Sequence, residues 1–382
     1  MEGRHFYVGF MRNEIDENRY LDKNNNDGFM NLMVFVGATE KTDVTIRYPW
    51  DTDGTIYTIE GDSVLTIDIP PPFFTTLEMR NSEVPTYGIV EILTNKKTIV
   101  YALNSSRLSS DAYSALPVSN WGKEYVVVSV PNDSYAPPGL IADSIPRSSE
   151  FMIMASEDST LVQFSPKAET VKGFKPNDLV SIYLMKGQCY LVQSSQKLER
   201  GLGDQTGTII KSDKPIGVIA GHVRTSIPVL FGEPLSYTKR DSKDHVVDML
   251  LPTKIWGSYY ISTPFNIYSA GDLIRVVSIQ PNTKVTAIGN NVFRDFVLAS
   301  PGDVEDFYPV GEPVVWIADK PIQIAQFMPT SLQDAVQTFD PCMVILPPTE
   351  QFVSRILFEI PSLAISASDQ YFNNYVNLVC ER

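Results

Sequence analysis

The segment DKNNNDG, residues 22–28, sets oxygen donors at the spacing of a calcium loop. Asp22, Asn24 and Asn26 fall at ligand positions 1, 3 and 5, and a hard divalent cation takes oxygen ligands of this kind. The glycine an EF-hand needs at position 6 is displaced to Gly28, Met33 stands where the bidentate Glu belongs, and no helices flank the loop. As an EF-hand it fails. An irregular calcium turn on a β domain and a solvated hairpin tip both stay open, the tip being the plainer reading, so no cofactor is expected, with a structural calcium left open. GLGDQTG, residues 201–207, imitates a phosphate loop. Its third glycine is misplaced, and it leads into the strand Thr208-Ile209-Ile210 where a helix N-terminus is required, so it reads as a tight connection.

His5, His222 and His245 are the only histidines. His245 lies in KDHVVDM with Asp244 and Asp248, where an acid–base or metal site can be drawn. His222 aligns with Asn104 and Met328 in the repeats described below, so such chemistry would be confined to one repeat. No GxSxG, HExxH or paired Cys–His arrangement occurs. Trp121, Trp256, Tyr125, Tyr259 and Tyr260 offer faces for sugar stacking, against the plainer reading of core aromatics repeated by duplication. Cys189, Cys342 and Cys380 form no CxxC pair and read as buried apolar thiols, with a Cys342–Cys380 bridge left open.

Acidic residues outnumber basic ones 45 to 31, for a net charge of −14. That speaks against a nucleic-acid partner, which needs clustered Lys and Arg. No apolar run approaches the ~18 residues of a membrane span, so no membrane insertion is expected.

The elements that would position these groups are repeated. SDKPIGVIAGH from Ser212 returns as ADKPIQIAQFM from Ala318 and, more weakly, as TNKKTIVYALN from Thr94. Upstream of each lies a Thr-x-Val strand, at Thr42, Thr160 and Thr283, spaced by 118 and 123 residues. A third motif, Leu-Pro followed by Trp-Gly, occurs at Leu116 and Leu251 and in altered form at Leu346, while HFYVGFM from His5 resembles the strand after Trp-Gly. Two independent strand motifs on one period indicate duplication. SVLTIDIP alternates as a half-buried strand, turn signals punctuate the chain, and no stretch sustains helical apolar spacing. The expected fold is all-β: three tandem β-sandwich-like repeats of about 120 residues with a closing C-terminal segment. The expected divisions are 1–110, 111–243 and 244–335, then 336–382 as the closing segment or the start of a truncated fourth repeat. Pro215 and Pro321, lacking an N–H, are expected at strand starts, with Ile216 and Ile322 entering the core.

FYVGFM, FVGA, SSDAYSALPV, WGKEY, TGTIIKSDKPIGVIAGH, LLPTKIWGSYY and PIQIAQFMP with PCMVILPP together resemble the N-terminal domain of the IgG-Fc-binding mucus protein family, in the family's order over nearly the whole chain. The resemblance implies a non-enzymatic module of larger adhesive or mucus-associated proteins, extracellular or at the cell surface. It offers no catalytic residues, and the low cysteine count points to a bacterial surface-protein member. The expected partner is a glycoprotein, a glycan or another surface protein. The loops where repeats meet are the expected binding surface. The longest irregular segments are Asn132 to Ser149 and Val223 to Asp244, and the second carries Arg224, Lys239, Arg240 and Lys243 as candidate contacts for an acidic glycan. A carbohydrate-active enzyme with an acidic cleft between repeats, or a ligand-free spacer, are the alternatives.

Overall fold

The computed structural model describes residues 1–14, 31–69, 74–106, 109–134, 146–195, 197, 200–229, 243–265, 271–330, 340–353 and 377–380. Its strands are β1 (Gly3–Gly9), β2 (Asn31–Ala38), β3 (Thr42–Arg47), β4 (Thr55–Ile59), β5 (Ser63–Asp68), β6 (Thr86–Tyr87), β7 (Ile89–Ser106) and β8 (Ser109–Ser114). These are followed by β9 (Gly122–Val126), β10 (Ser149–Ala155), β11 (Thr160–Ser165), β12 (Val180–Leu184), β13 (Gln188–Gln193), β14 (Ile209–Thr225) and β15 (Asp244–Met249). The last set is β16 (Gly257–Ser262), β17 (Asp272–Ser278), β18 (Thr283–Ile288), β19 (Phe293–Leu298), β20 (Val304–Val310), β21 (Val314–Met328) and β22 (Cys342–Ile345).

They form three antiparallel sheets of one topology, each built on a long shared strand. The first half of β14 pairs with β9 and β11, and β12 lies beyond β11. Its second half pairs with β10 and β15, and β13 lies beyond β10. β7 and β21 repeat this arrangement in the first and third sheets. Each sheet therefore curls into two four-strand layers that share one strand, a sandwich whose corner is made by a strand switching layers, and in the second sheet the two-residue β6 adds an eighth strand beside β13. The layers meet through aromatic contacts: Phe164 of β11 lies 5.7 Å from Phe151 of β10, and Trp316 of β21 lies 4.9 Å from Phe307 of β20. The registers agree, since Val44, Val162 and Val285 stand opposite Thr94, Ser212 and Ala318.

The lysine-proline motif sits at the corner. Pro215 and Pro321 lie inside β14 and β21, not at strand starts, where the partner strand's register jumps between Lys211 and Ile216 and between Ile317 and Ile322. At a bulge no ladder bond is owed, so the missing proline N–H costs nothing. Side chains replace the interrupted ladder. The Oδ1 atoms of Asn95, Asp213 and Asp319 accept the N–H groups of Asp43, Leu161 and Lys284 at 2.8–2.9 Å. Lys214 donates to Asp158 O, and Lys320 to the carbonyls of Pro281 and Asn282. The threonines of the Thr-x-Val motif donate to a carbonyl of the preceding turn at 2.7 Å in every copy. Ile216 and Ile322 are fully buried just past the corner. This is why one strand is written three times.

The Leu-Pro and Trp-Gly motif closes each module. Trp121 and Trp256 donate from Nε1 to the carbonyls of Leu116 and Leu251, and Tyr125 and Tyr260 donate to Ile216 and Ile322 across the corner. These rings are buried, so they are core aromatics; Tyr259 alone is exposed. Pro117, Pro252 and Pro348 pack where Gly3, Gly122 and Gly257 leave no room for a Cβ.

Hydrogen bonding carries the first sheet to Ser114, the second to Met249 and the third to Ile345. The modules then stack. β10 and β17 are buried on both faces, one toward their own module and the other toward the preceding one, which is why neither shows the polar alternation of a half-exposed strand; the charged Arg275 of β17 is buried with the rest. Along the opposite seam, carboxylates accept the neighbouring module's N–H groups. Asp111 accepts from Val247 (2.9 Å), Asp248 from Ile345 (2.6 Å), and Asp244 from Ser110. All three cysteines are free; Cys189 is buried as expected, whereas Cys380 is exposed.

Candidate functional site: charged loop roots between modules

The connections that leave β1, β9 and β14 depart from one end of the stack, and their roots are tied together by charge. Asp133, in the β9–β10 connection, is fully buried and accepts from Arg200 Nε (2.5 Å), from Ser226 N and Oγ (both 2.8 Å) and from Lys243 Nζ. Glu14, past β1, accepts from Arg147 Nε and Nη2 and from Arg224 Nη1, the last at 3.1 Å. Arg224 Nε in turn donates to Lys243 O. Burial alone would raise both carboxyls, but the flanking cations outweigh it, Lys243 and Arg200 for Asp133 and Arg147 and Arg224 for Glu14, and hold both below the usual range. Four cations thus surround two ionised carboxylates on an otherwise acidic chain. The third module joins through Thr330, which donates its N–H to Ile227 O and accepts from Ile227 N.

His222 and His245 lie beneath this layer, both fully buried. His222 Nδ1 accepts from Arg224 N, so its neutral ring carries hydrogen on Nε2. His245 Nδ1 donates to Val223 O, which leaves its Nε2 a bare acceptor. Among the described residues neither Nε2 has a partner. Burial pushes the two rings down to about 3 and about 4, so both are neutral at physiological pH. Among the described residues no group of three or more His, Cys, Asp or Glu is placed to hold a metal. Asp244 and Asp248 are occupied by backbone N–H groups at the seam, not turned toward His245 as an acid–base pair.

Of the four candidate cations in the Val223–Asp244 segment, Arg224 and Lys243 face inward onto carboxylates, with Lys243 side-chain exposure only 9%. Lys239 and Arg240 lie outside the described residues, as do Asp22, Asn24 and Asn26 of the calcium candidate. Sequence reading missed Asp133, Glu14, Arg147 and Arg200. Their ties span 67 to 210 residues, and no local spacing reports them. The GLGDQTG segment is a connection: Leu202 O and Gly201 N hold the backbone of Asn132, and Gly207, at φ 88°, meets the backbone of Gly302 in the third module.

Stacked seven-strand sandwiches with cross-tied loop roots at one end define a tandem β-repeat module. A sequence profile of the family described as IgGFc binding protein matches residues 111–382, and the chain belongs to that family. It is similar to the human IgGFc-binding protein, 26% identical over 274 residues, which is 71% of this chain but only 4% of that relative's length. No solved structure matches. The first module, outside the profile, carries the same topology as the other two.

Proposed function

We propose that this chain is a non-enzymatic, extracellular binding module of an adhesive or mucus-associated protein, and that it presents its ligand surface at the loop end of the stack. The observation that carries this reading is the Asp133 and Glu14 network, which fixes the roots of connections from different modules to one another. Rigid roots leave the connecting segments free to vary in sequence, the arrangement by which β scaffolds present recognition loops. The family name favours a protein partner, and immunoglobulin Fc is the first to try. Glycoproteins and glycans follow, because Lys239 and Arg240 place positive charge in one of these connections. The acidic side chains speak the same way. The buried ones at the seam spend their oxygens on backbone N–H groups, which leaves them no role in a cleft. A helix long and apolar enough to cross a membrane is absent among the described residues.

The test is surface-based binding of the purified chain to Fc, to a sialylated mucin and to a desialylated one, at low and physiological salt. Lys239→Glu/Arg240→Glu should weaken mucin binding and leave Fc binding intact. No binding to any of the three, or release of sugar from mucin, would defeat the reading.

A further inference from the structure

The junctions between modules repeat one contact. In the second module, the turn between β12 and β13 reaches back to the outer face of the first: Lys186 Nζ lies 3.4 Å from Glu91, which stands in the cross-strand row Tyr7–Glu91–Arg47. In the third, the equivalent turn between β19 and β20 reaches the same row of the second, Val126–Ile209–Ser165. There Gly302 abuts Gly207, and Pro301 shares with Ile209 the lining of two open clefts, of about 300 and 350 Å³. The corresponding row of the third module is Ile261–Val315–Ile288–Phe293, apolar at every position. Among the described residues nothing covers it as the turns cover the first two rows. Phe293 is 74% exposed and Ile288 39%, and beside them Val297, Ile317 and Tyr259 are exposed as well.

We infer that this face is a docking site for a further copy of the same seven-strand repeat, one whose turn carries an apolar residue at the Pro301 position. Two observations select that occupant. The connector that follows β22 has the geometry of the two that lead into the second and third modules: Pro348 enters it at φ −66°, ψ 155°, as Pro252 does at −65° and 148°, and it packs on Gly257 as Pro252 packs on Gly122. The two outer faces of the stack also differ: the corresponding turn of the first module is Glu60-Gly61-Asp62, exposed and carrying two acids, Glu60 paired with Lys41, whereas the third module's row is apolar, as on a face that packs against a neighbouring repeat. That acidic turn does not match the apolar row, so a second copy of this chain docking head to tail is not the fit.

The test extends the full chain: residues 1–352 followed by 257–382 add a second third module one period on. With Cys342 and Cys380 replaced by serine throughout, Ile288→Cys in the first copy should react with a maleimide about tenfold more slowly than in the unextended chain. Pro301→Asp in the added copy should restore the faster rate. Equal rates in both chains, or protection that survives Pro301→Asp, would overturn the inference. Two measurements on the unextended chain hold whether or not the added module folds. Ile288→Asp/Phe293→Asp should move the melting midpoint by no more than about 2 °C; a larger fall would assign the row to the module's own core. Sedimentation should show a monomer, and a dimer that Phe293→Asp abolishes would give the row to a second copy.

Discussion

The two junctions of this stack have the same geometry and differ in chemistry at one equivalent position. Between the first and second modules, Met152 packs where Gly9 leaves room, and a single core cluster runs from Phe6 and Val90 through Phe151 and Val218. At the second junction the residue in the Met152 position is Arg275. Its guanidinium donates to Ser129 O (2.5 Å), to Asp204 and Thr206 of the second module (2.7 and 2.8 Å), and to Asp306 of its own (2.8 Å). The third module has a core of its own around Tyr260, Val285 and Trp316, while its Leu273, Val277, Ala325, Phe327, Met343 and Ile345 join the cluster of the first two modules. The backbone stacking therefore does not dictate how a junction is held. At the first junction the interiors of two modules merge, whereas at the second a charged clamp is set among apolar contacts and the third module keeps part of its interior to itself.

Breaking the clamp should have the largest effect. Arg275→Met imitates the first junction but leaves Asp204 and Asp306 without their cation, so it should cost about 3 kcal/mol, the low end of the range for removing one partner of a buried ion pair because both carboxylates keep contact with water, at 25% and 42% exposure. Calorimetry should then resolve the third module as a separate, earlier transition. Met152→Ala should cost about 2–3 kcal/mol through the cavity it leaves, yet lower one cooperative transition without splitting it. If both variants split the melt, or neither does, the contrast between junctions fails. Gly207 and Gly187 sharpen it further. Both have positive φ (88° and 81°), but a Cβ on Gly207 would strike Gly302 O, whereas one on Gly187 meets only Tyr87, at 3.8 Å. Gly187→Ala should therefore cost about 1 kcal/mol of backbone strain, and Gly207→Ala roughly twice that or more.

Much of this architecture was legible in the sequence because its determinants are local. The Thr-x-Val and lysine-proline motifs are short runs whose hydrogen bonds close within the module, so they recur visibly with the period of the sheets. The corner was not legible. A proline beside an apolar run reads as a strand start, and only the partner's register shows that the strand continues through it. The site was the least legible part. Arg224 and Lys243 were picked as surface cations because the chain around them is irregular, but the anions that draw them inward, Glu14 and Asp133, stand 210 and 110 residues away. One sequence reports neighbours along the chain, not neighbours across modules.

The smallest effect is a pH dependence carried by the carboxylate seam, which serves both junctions. Burial raises Asp248 to about 7 and Asp244 to about 8, the second helped by Asp340, against N–H donors that pull the other way. Asp111, accepting from Ala112 and Val247, is raised as well. An acid whose folded pKa lies above its unfolded one binds more protons folded than unfolded between the two values, so stability falls as pH rises through that window. His222 and His245 have the opposite sign, because their folded values lie below the unfolded one, and they oppose the acids only below about pH 6.5. Between about pH 6.5 and 8 the histidines no longer oppose them; Glu78, raised to about 7, and Glu150, also raised by burial, act in the same direction, and the Met1 ammonium, lowered by burial, acts against them. Asp244 and Asp248 should then each remove on the order of 1 kcal/mol as the pH rises, and the melting midpoint should drop over that interval at constant ionic strength. Asp248→Asn cannot ionise, so whatever its offset in stability it should flatten the slope. In the Arg275→Met background, where the third module melts separately, the flattening should fall on its transition, because Asp248 holds Ile345, while Asp111→Asn should act on the transition shared by the first two. A midpoint that rises from pH 6.5 to 8, or a slope unchanged in both variants, would show that the seam carboxylates are ionised in the folded chain.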